Sequence, residues 1–400
     1  MERKLGFIFD HDKCIICGAC VEACNKAYGL NWRKLPVFEM DGYKTALSIS
    51  CNHCDKPACM EVCPANAIKK DEKGVVWIEQ EECIGCGYCS WACPYEALKF
   101  NSQGVMTKCH FCKDNLGKGM PYCVESCPTG ALAFGWIDQE DSSIPYLAPP
   151  EITEPRLKVI LPKEKSIVAN PKKVKSEEKF LPLVGFTIGS EFALGYSMFR
   201  LPFFSIITFL ILGITLLASI SHANVGKRSL RVALGLKSSW LSREVLFGGL
   251  ASLFFLGNFF FSTLYYPAMF FLTLAFISSL MVYLLKARPS WYNVDTPTSF
   301  IGTIFTLSSP LAFLFLHNFI FSIPGIVFSI LEIYTAYRKS KVLDTQYKSR
   351  YLNFIYIVGL LISLVFPDMA ILAFIIALSS EVLSRNSFFK NIVYYGIPNV

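Results

Sequence analysis

EECIGCGYCSWACP, residues 81–94, sets four cysteines at C-x2-C-x2-C-x3-C with a proline directly after the last: Cys83, Cys86, Cys89, Cys93, then Pro94. The sequence around it repeats the theme. Cys14, Cys17, Cys20 and Cys24 have the same spacing. Cys51, Cys54, Cys59 and Cys63 read C-x2-C-x4-C-x3-C, and Cys109, Cys112, Cys123 and Cys127 read C-x2-C-x10-C-x3-C. The four runs use all 16 cysteines of the chain.

Three thiolates spaced closely in a loop can wrap one iron–sulfur cubane, while a fourth further on is held away from it. In bacterial-type runs of this kind the fourth cysteine ligates the other cluster of a pair. Runs two and three are joined by AIKKDEKGVVWIE, which reads as a strand with a turn, so they are expected to exchange ligands. One cluster then takes Cys51, Cys54, Cys59 and Cys93, and another Cys83, Cys86, Cys89 and Cys63. The terminal runs close on each other by the same swap, giving Cys14, Cys17 and Cys20 with Cys127, and Cys109, Cys112 and Cys123 with Cys24. The expectation is four 4Fe-4S clusters. Disulfides suit small secreted domains, and no signal peptide is read ahead of Cys14. Zinc takes isolated C-x2-C pairs more readily than runs ending in C-P. His53 and His110, inside runs two and four, read as hydrogen-bonding neighbours and not as ligands.

With 53% hydrophobic and 17% charged residues the chain is too apolar for an ordinary soluble protein, and the apolarity is concentrated after Leu181. The fold class expected is an α+β ferredoxin-like four-cluster domain over residues 1–137, a Pro/Lys/Glu-rich linker over 138–180, extended and solvated, and an all-α membrane bundle over 181–400. Eight helices are placed at about 182–199, 203–221, 244–262, 267–285, 299–316, 318–337, 353–367 and 369–384. Between them, one side carries Lys227, Arg228, Arg231, Lys237, Arg243, Lys286, Arg288, Arg338, Lys339, Lys341, Lys348 and Arg350, with Arg385 and Lys390 in the tail. The other side carries Arg200 alone. The positive-inside rule then puts the N-terminal domain on the cytoplasmic face of a multi-pass cell-membrane protein.

The stretches CNHCDKPACMEVCP, CIGCGYCSWACPYEALKFN and CVESCPTGALAFG make the first half resemble the four-cluster electron-transfer subunit of the dimethyl sulfoxide reductase family of molybdenum enzymes. More loosely, LPLVGFTIGSEFALG, SHANVGKRSLR, LSREV and RPSWYNVDTPTSF resemble the membrane anchor of the same complexes, usually a separate polypeptide. The resemblance implies a relay. A molybdopterin-containing catalytic subunit converts the substrate, the clusters pass electrons, and the anchor exchanges them with a membrane quinone, a menaquinone type being the leading candidate. No pterin site is read here, so this chain is not the substrate-converting subunit, and no nucleic acid is expected as partner. The cluster on Cys14, Cys17, Cys20 and Cys127 would face the molybdenum subunit.

By the same resemblance, His222 and Glu244 are proton-handling quinone ligands and Arg228 is their hydrogen-bonding or electrostatic partner. HANVGKR lacks the Gly and Pro that the family commonly has between that histidine and arginine. Glu191, a carboxylate inside the first membrane helix, is a candidate for proton conduction. His317 reads as a packing or capping residue. Two b-type haems would need four axial ligands where the membrane half offers His222 and His317, so no haem is expected. Three functions follow as alternatives: a cytoplasm-facing module feeding electrons from sulfite into quinone, an outward-facing quinol-dependent reductase of dimethyl sulfoxide, polysulfide or tetrathionate, and a redox-driven proton translocator.

Overall fold

The computed structural model describes residues 4–40, 43–115, 118–138, 147–162, 172–176, 180–220, 225–343 and 350–395. In each cysteine run the backbone makes the same left-handed step just before the second cysteine, at Ile16 (φ 58°), His53 (44°), Gly85 (71°) and Phe111 (58°). Only Gly85 does this without steric cost. A side chain held there, above all β-branched Ile16, stores strain that the surrounding loop must impose. A short helix then carries the later cysteines: α1 (Ala19–Tyr28) holds Cys20 and Cys24, α2 (Ala58–Glu61) Cys59, α3 (Tyr88–Ala92) Cys89, and α4 (Tyr122–Glu125) Cys123. After the C-P pairs of runs two, three and four the backbone turns left-handed again, at Asn66, Glu96 and Gly130.

Small antiparallel hairpins link the runs. After β1 (Lys4–Asp10) come β2 (Val37–Met40) with β3 (Tyr43–Ala46), β4 (Ile68–Lys70) with β5 (Val76–Ile78), and β6 (Lys99–Phe100) with β7 (Met106–Thr107). The segment read as a strand with a turn is thus the β4–β5 hairpin. β8 (Leu132–Ile137) returns antiparallel to β1, from Lys4 opposite Ile137 to Phe9 opposite Leu132. This pairing brings run four beside run one, with Phe7, Phe9, Phe111 and Leu132 in the shared core.

Part of the stretch expected to be a solvated linker is folded onto the cluster domain. β9 (Leu157–Ile160) adds to the sheet parallel to β1, and Leu147, Ala148 and Leu157 enter the core. The reason is a local alternation that the surrounding prolines and charges obscure: Leu157 and Val159 turn inward while Lys158 and Ile160 are exposed. Asp55 pins this strap, pairing with Arg156 at 2.6 Å, with Lys70 at 3.6 Å and with Lys4. Burial pushes the Asp55 carboxyl up, but Lys4 and Arg156 together outweigh it and hold it below the ordinary carboxylate range. A lowered folded-state value gives stability that is present at neutral pH and lost as pH falls below the carboxylate range. Acidification is therefore expected to release the strap before the hairpins melt, read as faster hydrogen exchange of the β9 amides at low pH than at neutrality. Asp55→Asn should abolish that pH dependence. Further on, β10 (Lys172–Ser176) pairs antiparallel with β11 (Asn391–Tyr395) from the C-terminal region.

Eight helices follow among the described residues: α5 (Leu181–Met198), α6 (Phe204–Ile220), α7 (Trp240–Asn258), α8 (Tyr265–Tyr283), α9 (Asp295–Leu316), α10 (Ser322–Leu343), α11 (Tyr351–Ile362) and α12 (Met369–Lys390). Among the described residues five spans are long and apolar enough to cross a membrane, which marks this as a membrane protein. They are Trp240–Asn258, Ser262–Tyr283, Asp295–Leu316, Phe319–Lys341 and Met369–Lys390. Consecutive helices pack in pairs, with α5, α9 and α12 in contact at the centre. His317 ends α9 in the left-handed conformation, its N–H donating to Phe313 O. The charge reading needs one correction. Lys339 and Arg385 lie on α10 and α12, which run further than expected, and Arg350 opens α11. All three are buried in ion pairs instead of lying in loops. Lys348 lies outside the described residues.

Candidate functional site

Four cavities in the N-terminal domain are each walled by four cysteines. The first is lined by Cys14, Cys17, Cys20 and Cys127, the second by Cys24, Cys109, Cys112 and Cys123, the third by Cys51, Cys54, Cys59 and Cys93, and the fourth by Cys63, Cys83, Cys86 and Cys89. In every set three members come from one run and the fourth from another, brought together by the hairpins and the β1–β8 closure. The cavities are strung in a row: Cys20 is in electrostatic reach of Cys123, Cys109 of Cys51, and Cys59 of Cys89. At the first cavity Cys17 and Ile15 are exposed.

The cysteines surround space instead of converging on a point. Among the described residues no group of three or more His, Cys, Asp or Glu side chains closes on a single ion, as tetrahedral zinc would require. Backbone N–H groups aim at the sulfurs, from His53 to Cys51, Ala67 to Cys63, Gly85 to Cys83 and Leu132 to Cys127, at 3.3–3.4 Å. Burial pushes the Cys86 thiol up to about 12 and raises Cys59 and Cys89 as well, so these sulfurs become thiolates when a metal takes the place of the proton. The donor set, its N–H bonds and its spacing fit cubane clusters.

Two buried cations escape a reading of the sequence. Lys108 Nζ donates to Cys51 Sγ at 3.1 Å, to Cys109 O at 2.9 Å and to Val76 O, which puts it between the second and third cavities. Arg33 donates to Ser48 and Ser50 and lies near Cys20, Cys24, Cys109 and Cys123, between the first and second. Neither partner set contains a carboxylate. His53 is fully buried, stacks on Phe111 at 3.5 Å and accepts the Val76 N–H at 2.9 Å on Nδ1. Burial, with Lys108 beside it, holds His53 well below its ordinary value, so it is neutral. His110 Nδ1 accepts the Lys113 N–H.

Run three and the end of run two meet the helices. Tyr88 OH donates to Val282 O at 3.1 Å, Arg288 Nε to Trp91 O at 3.2 Å, and Ser239 Oγ to Val62 O at 2.8 Å. Between run three and helices α5, α7 and α8 lies a cavity of about 260 Å³. Cys86, Tyr88 and Trp91 form one wall, and Leu183, Phe186, Glu244, Val282 and Tyr283 the other, with Leu230 and Val232 alongside. It is apolar except at few points. Glu244, 4% exposed, presents an Oε1 with no hydrogen-bond partner.

Of the three residues expected at a quinone site, Glu244 is thus in this cavity and His222 lies outside the described residues. Arg228 is not in the lining; its Nη1 donates to Gln80 O at 2.7 Å and Cys83 O at 3.4 Å, tying the segment around residues 225–235 to run three. Arg228→Gln should cost about 1–2 kcal/mol of docking, seen as faster hydrogen exchange over residues 225–235 with the cysteine cavities unchanged. Tyr88, Trp91 and Tyr283 could not be placed at the cavity from sequence, since only the docking of two distant segments assembles its walls.

Residues 44–137 match the family model described as a 4Fe-4S dicluster domain. The B subunit of anaerobic dimethyl sulfoxide reductase from Escherichia coli (strain K12) is 38% identical over 206 residues, which span 44% of this chain and all of that relative. The thiosulfate reductase electron transfer subunit PhsB of Salmonella typhi is 37% identical over 147 residues, 34% of this chain and 77% of that one. The uncharacterized ferredoxin-like protein YdhX of Escherichia coli (strain K12) is 40% identical over 154 residues, covering 35% of this chain and 68% of that one. A relative matched over its whole length, on a domain that gathers its cysteines into cluster-sized cavities, shows that this protein belongs to the family of iron–sulfur electron-transfer subunits that includes the B subunit of dimethyl sulfoxide reductase.

Proposed function

We propose that the protein transfers electrons through four 4Fe-4S clusters, ligated by the four cysteine sets above, between a molybdopterin-containing catalytic subunit and a quinone bound in the membrane-edge cavity. One observation carries this reading: the same cavity is walled by Cys86, of the fourth cysteine set, and by Glu244, a buried carboxylate. Electrons and protons of one quinone can therefore be handled at one place. When bound, the clusters supply one-electron steps. The protein's own groups hold the rest: N–H donors and the cations Lys108 and Arg33 offset the negative sulfurs, Trp91 and Leu183 keep water from the ring, and Glu244 takes or gives a proton. At the far end of the row, exposed Cys17 and Ile15 mark the face for the catalytic subunit. The membrane helices act as a fused anchor, all eight of them spanning.

The relatives' names speak of dimethyl sulfoxide and thiosulfate, which favours a reductase partner drawing electrons from quinol. The charge excess on the cluster side of the bundle favours a cytoplasmic cluster domain, for which sulfite oxidation into quinone is the second reading. The test is on the full-length protein in sealed vesicles of each orientation. Iron and acid-labile sulfide should match four cubanes per polypeptide, and menadiol should reduce them; an impermeant protease that cuts between residues 138 and 179 in inside-out vesicles favours the cytoplasmic sulfite reading, and one that cuts there in right-side-out vesicles favours the outward-facing reductase. Half that iron, or clusters reducible by dithionite but never by menadiol, would refute the reading.

A further inference from the structure

The segment that leads into α7 is built in threes. Residues Gly226–Gly235, GKRSLRVALG, form a 3-10 helix, whose three residues per turn stack every third side chain into a ridge. One ridge faces inward: Ser229 and Val232 line the membrane-edge cavity, and a Cβ on Gly235 would come within 2.6 Å of Pro64 O. The second faces the cluster domain. There Arg228 reaches the carbonyls of Gln80 and Cys83, Arg231 pairs with Glu82 at 3.2 Å, and Leu234 O accepts from Asn66 Nδ2 at 2.8 Å. The third ridge, Lys227, Leu230 and Ala233, faces out and is exposed.

Leu230 is 87% exposed and also lines the cavity, so it stands at the cavity's mouth. Leu234, four residues on, is 53% exposed. Around these bare leucines the charge has one sign: residues 226–243 hold Lys227, Arg228, Arg231, Lys237 and Arg243 and no acid. Among the described residues only Arg231 of the five has an acidic partner, Glu82. Arg228 and Arg243 are held by backbone carbonyls, which leave their charge uncancelled, and Lys227 and Lys237 are exposed.

Trp240 follows directly and opens α7, one of the spans long enough to cross a membrane; the Arg243 guanidinium lies 4.3 Å over its ring. Tryptophan and arginine at the end of a span mark the level of the lipid headgroups. The segment therefore runs along the cluster-side surface of the bilayer. Exposed leucines interleaved with exposed cations suit that surface, since the alkyl groups enter the acyl boundary while the ammonium groups stay among phosphates.

We propose that residues 226–237 are a binding site for anionic phospholipid. Leu230 and Leu234 enter the edge of the acyl layer, Lys227 and Lys237 pair with headgroup phosphates, and the mouth of the cavity is thereby seated in the bilayer. A lipid-dissolved quinone then passes over Leu230 into the cavity without crossing water. That consequence rests on the quinone reading of the cavity; the lipid site itself does not.

The test uses full-length protein in nanodiscs of phosphatidylcholine, alone or mixed with phosphatidylglycerol. Phosphatidylglycerol should slow amide exchange over residues 226–237 about fivefold for each of the two lysines, and added salt should weaken the effect. Lys227→Gln combined with Lys237→Gln should remove the difference between the two lipids; both side chains are exposed, so the variant keeps its iron. Phosphatidylglycerol with a photoreactive acyl chain should label residues 226–237, with α7 and α8 as positive controls. Exchange that is equal in both lipids, or label on α7 and α8 but none on this segment, overturns the site. Crosslinks from the segment to another polypeptide in native membranes, in place of lipid, overturn it in favour of protein docking. Phosphatidylglycerol should also speed cluster reduction by lipid-dissolved menaquinol about fivefold or more, with reduction by water-soluble menadiol unchanged. Equal menaquinol rates in both lipids overturn the seating of the mouth. If neither quinol reduces a cluster although exchange and labelling behave as expected, the quinone reading falls and the lipid site stands.

Discussion

Glu244→Gln is expected to slow menadiol-driven reduction of the clusters about 100-fold while leaving iron content and dithionite reduction as in the wild type. The expectation follows from where the carboxyl stands. Near the start of α7 it is 4% exposed, its Oε1 has no partner, and it faces a cavity whose opposite wall is run three. The other lining groups are almost all hydrocarbon or aromatic, and of them Tyr88 already spends its hydroxyl on Val282 O. Glutamine keeps the shape and one carbonyl acceptor but cannot take the proton. It also relieves an unpaired buried carboxylate, so the variant should be no less stable than the wild type. Stopped-flow absorbance of the clusters, with dithionite as control, separates the outcomes. An unchanged menadiol rate would remove Glu244 from proton handling and move attention to His222.

The contrast between Glu244 and Arg228 shows how far residues can be read without their surroundings. One resemblance picks out both, and both end up near run three. Glu244 faces the cavity because α7 begins four residues earlier than expected, at Trp240, and turns that side of its first turns to α8. Arg228 reaches the carbonyls of Gln80 and Cys83 instead, a contact set by the seat of one domain on the other. The cysteine sets are easier. Their spacing states how far apart the sulfurs can be, and a hairpin between runs leaves few ways to bring them together. The strap at residues 147–160 escapes because proline and lysine content describes an average over the stretch, whereas β9 depends on two alternate inward residues, Leu157 and Val159. The buried ionic network escapes for a related reason. Lys339, Arg350 and Arg385 look like loop charges as long as α10 and α12 are drawn short, and only their burial against Asp295, Glu332, Glu381 and Glu191 gives them another role.

Lys108→Met should lower the potential of the neighbouring cluster couple by roughly 100 mV, the value for one unit charge some 6 Å away at an effective dielectric constant near 20. Adding an electron to a cluster held by four thiolates increases a negative charge in a buried place, and a cation beside it stabilises the reduced form more than the oxidised one. Lys108 is 3% exposed, its ammonium lies 3.1 Å from Cys51 Sγ, and none of its partners is a carboxylate that would cancel the field. Because Cys51 and Cys109 belong to adjacent cavities, the same charge acts on two sites at once, and removing it should shift both downward. Arg33, between the first and second cavities, leaves the first set's local field intact and so serves as an internal reference. Redox titration followed by electron paramagnetic resonance reads the couples separately. Two signals moving down together while the others stay put would place the cation in the middle of the row. Four unmoved signals would mean that backbone N–H groups alone set these potentials, and that Lys108 serves only to tie Val76 and Cys109 together.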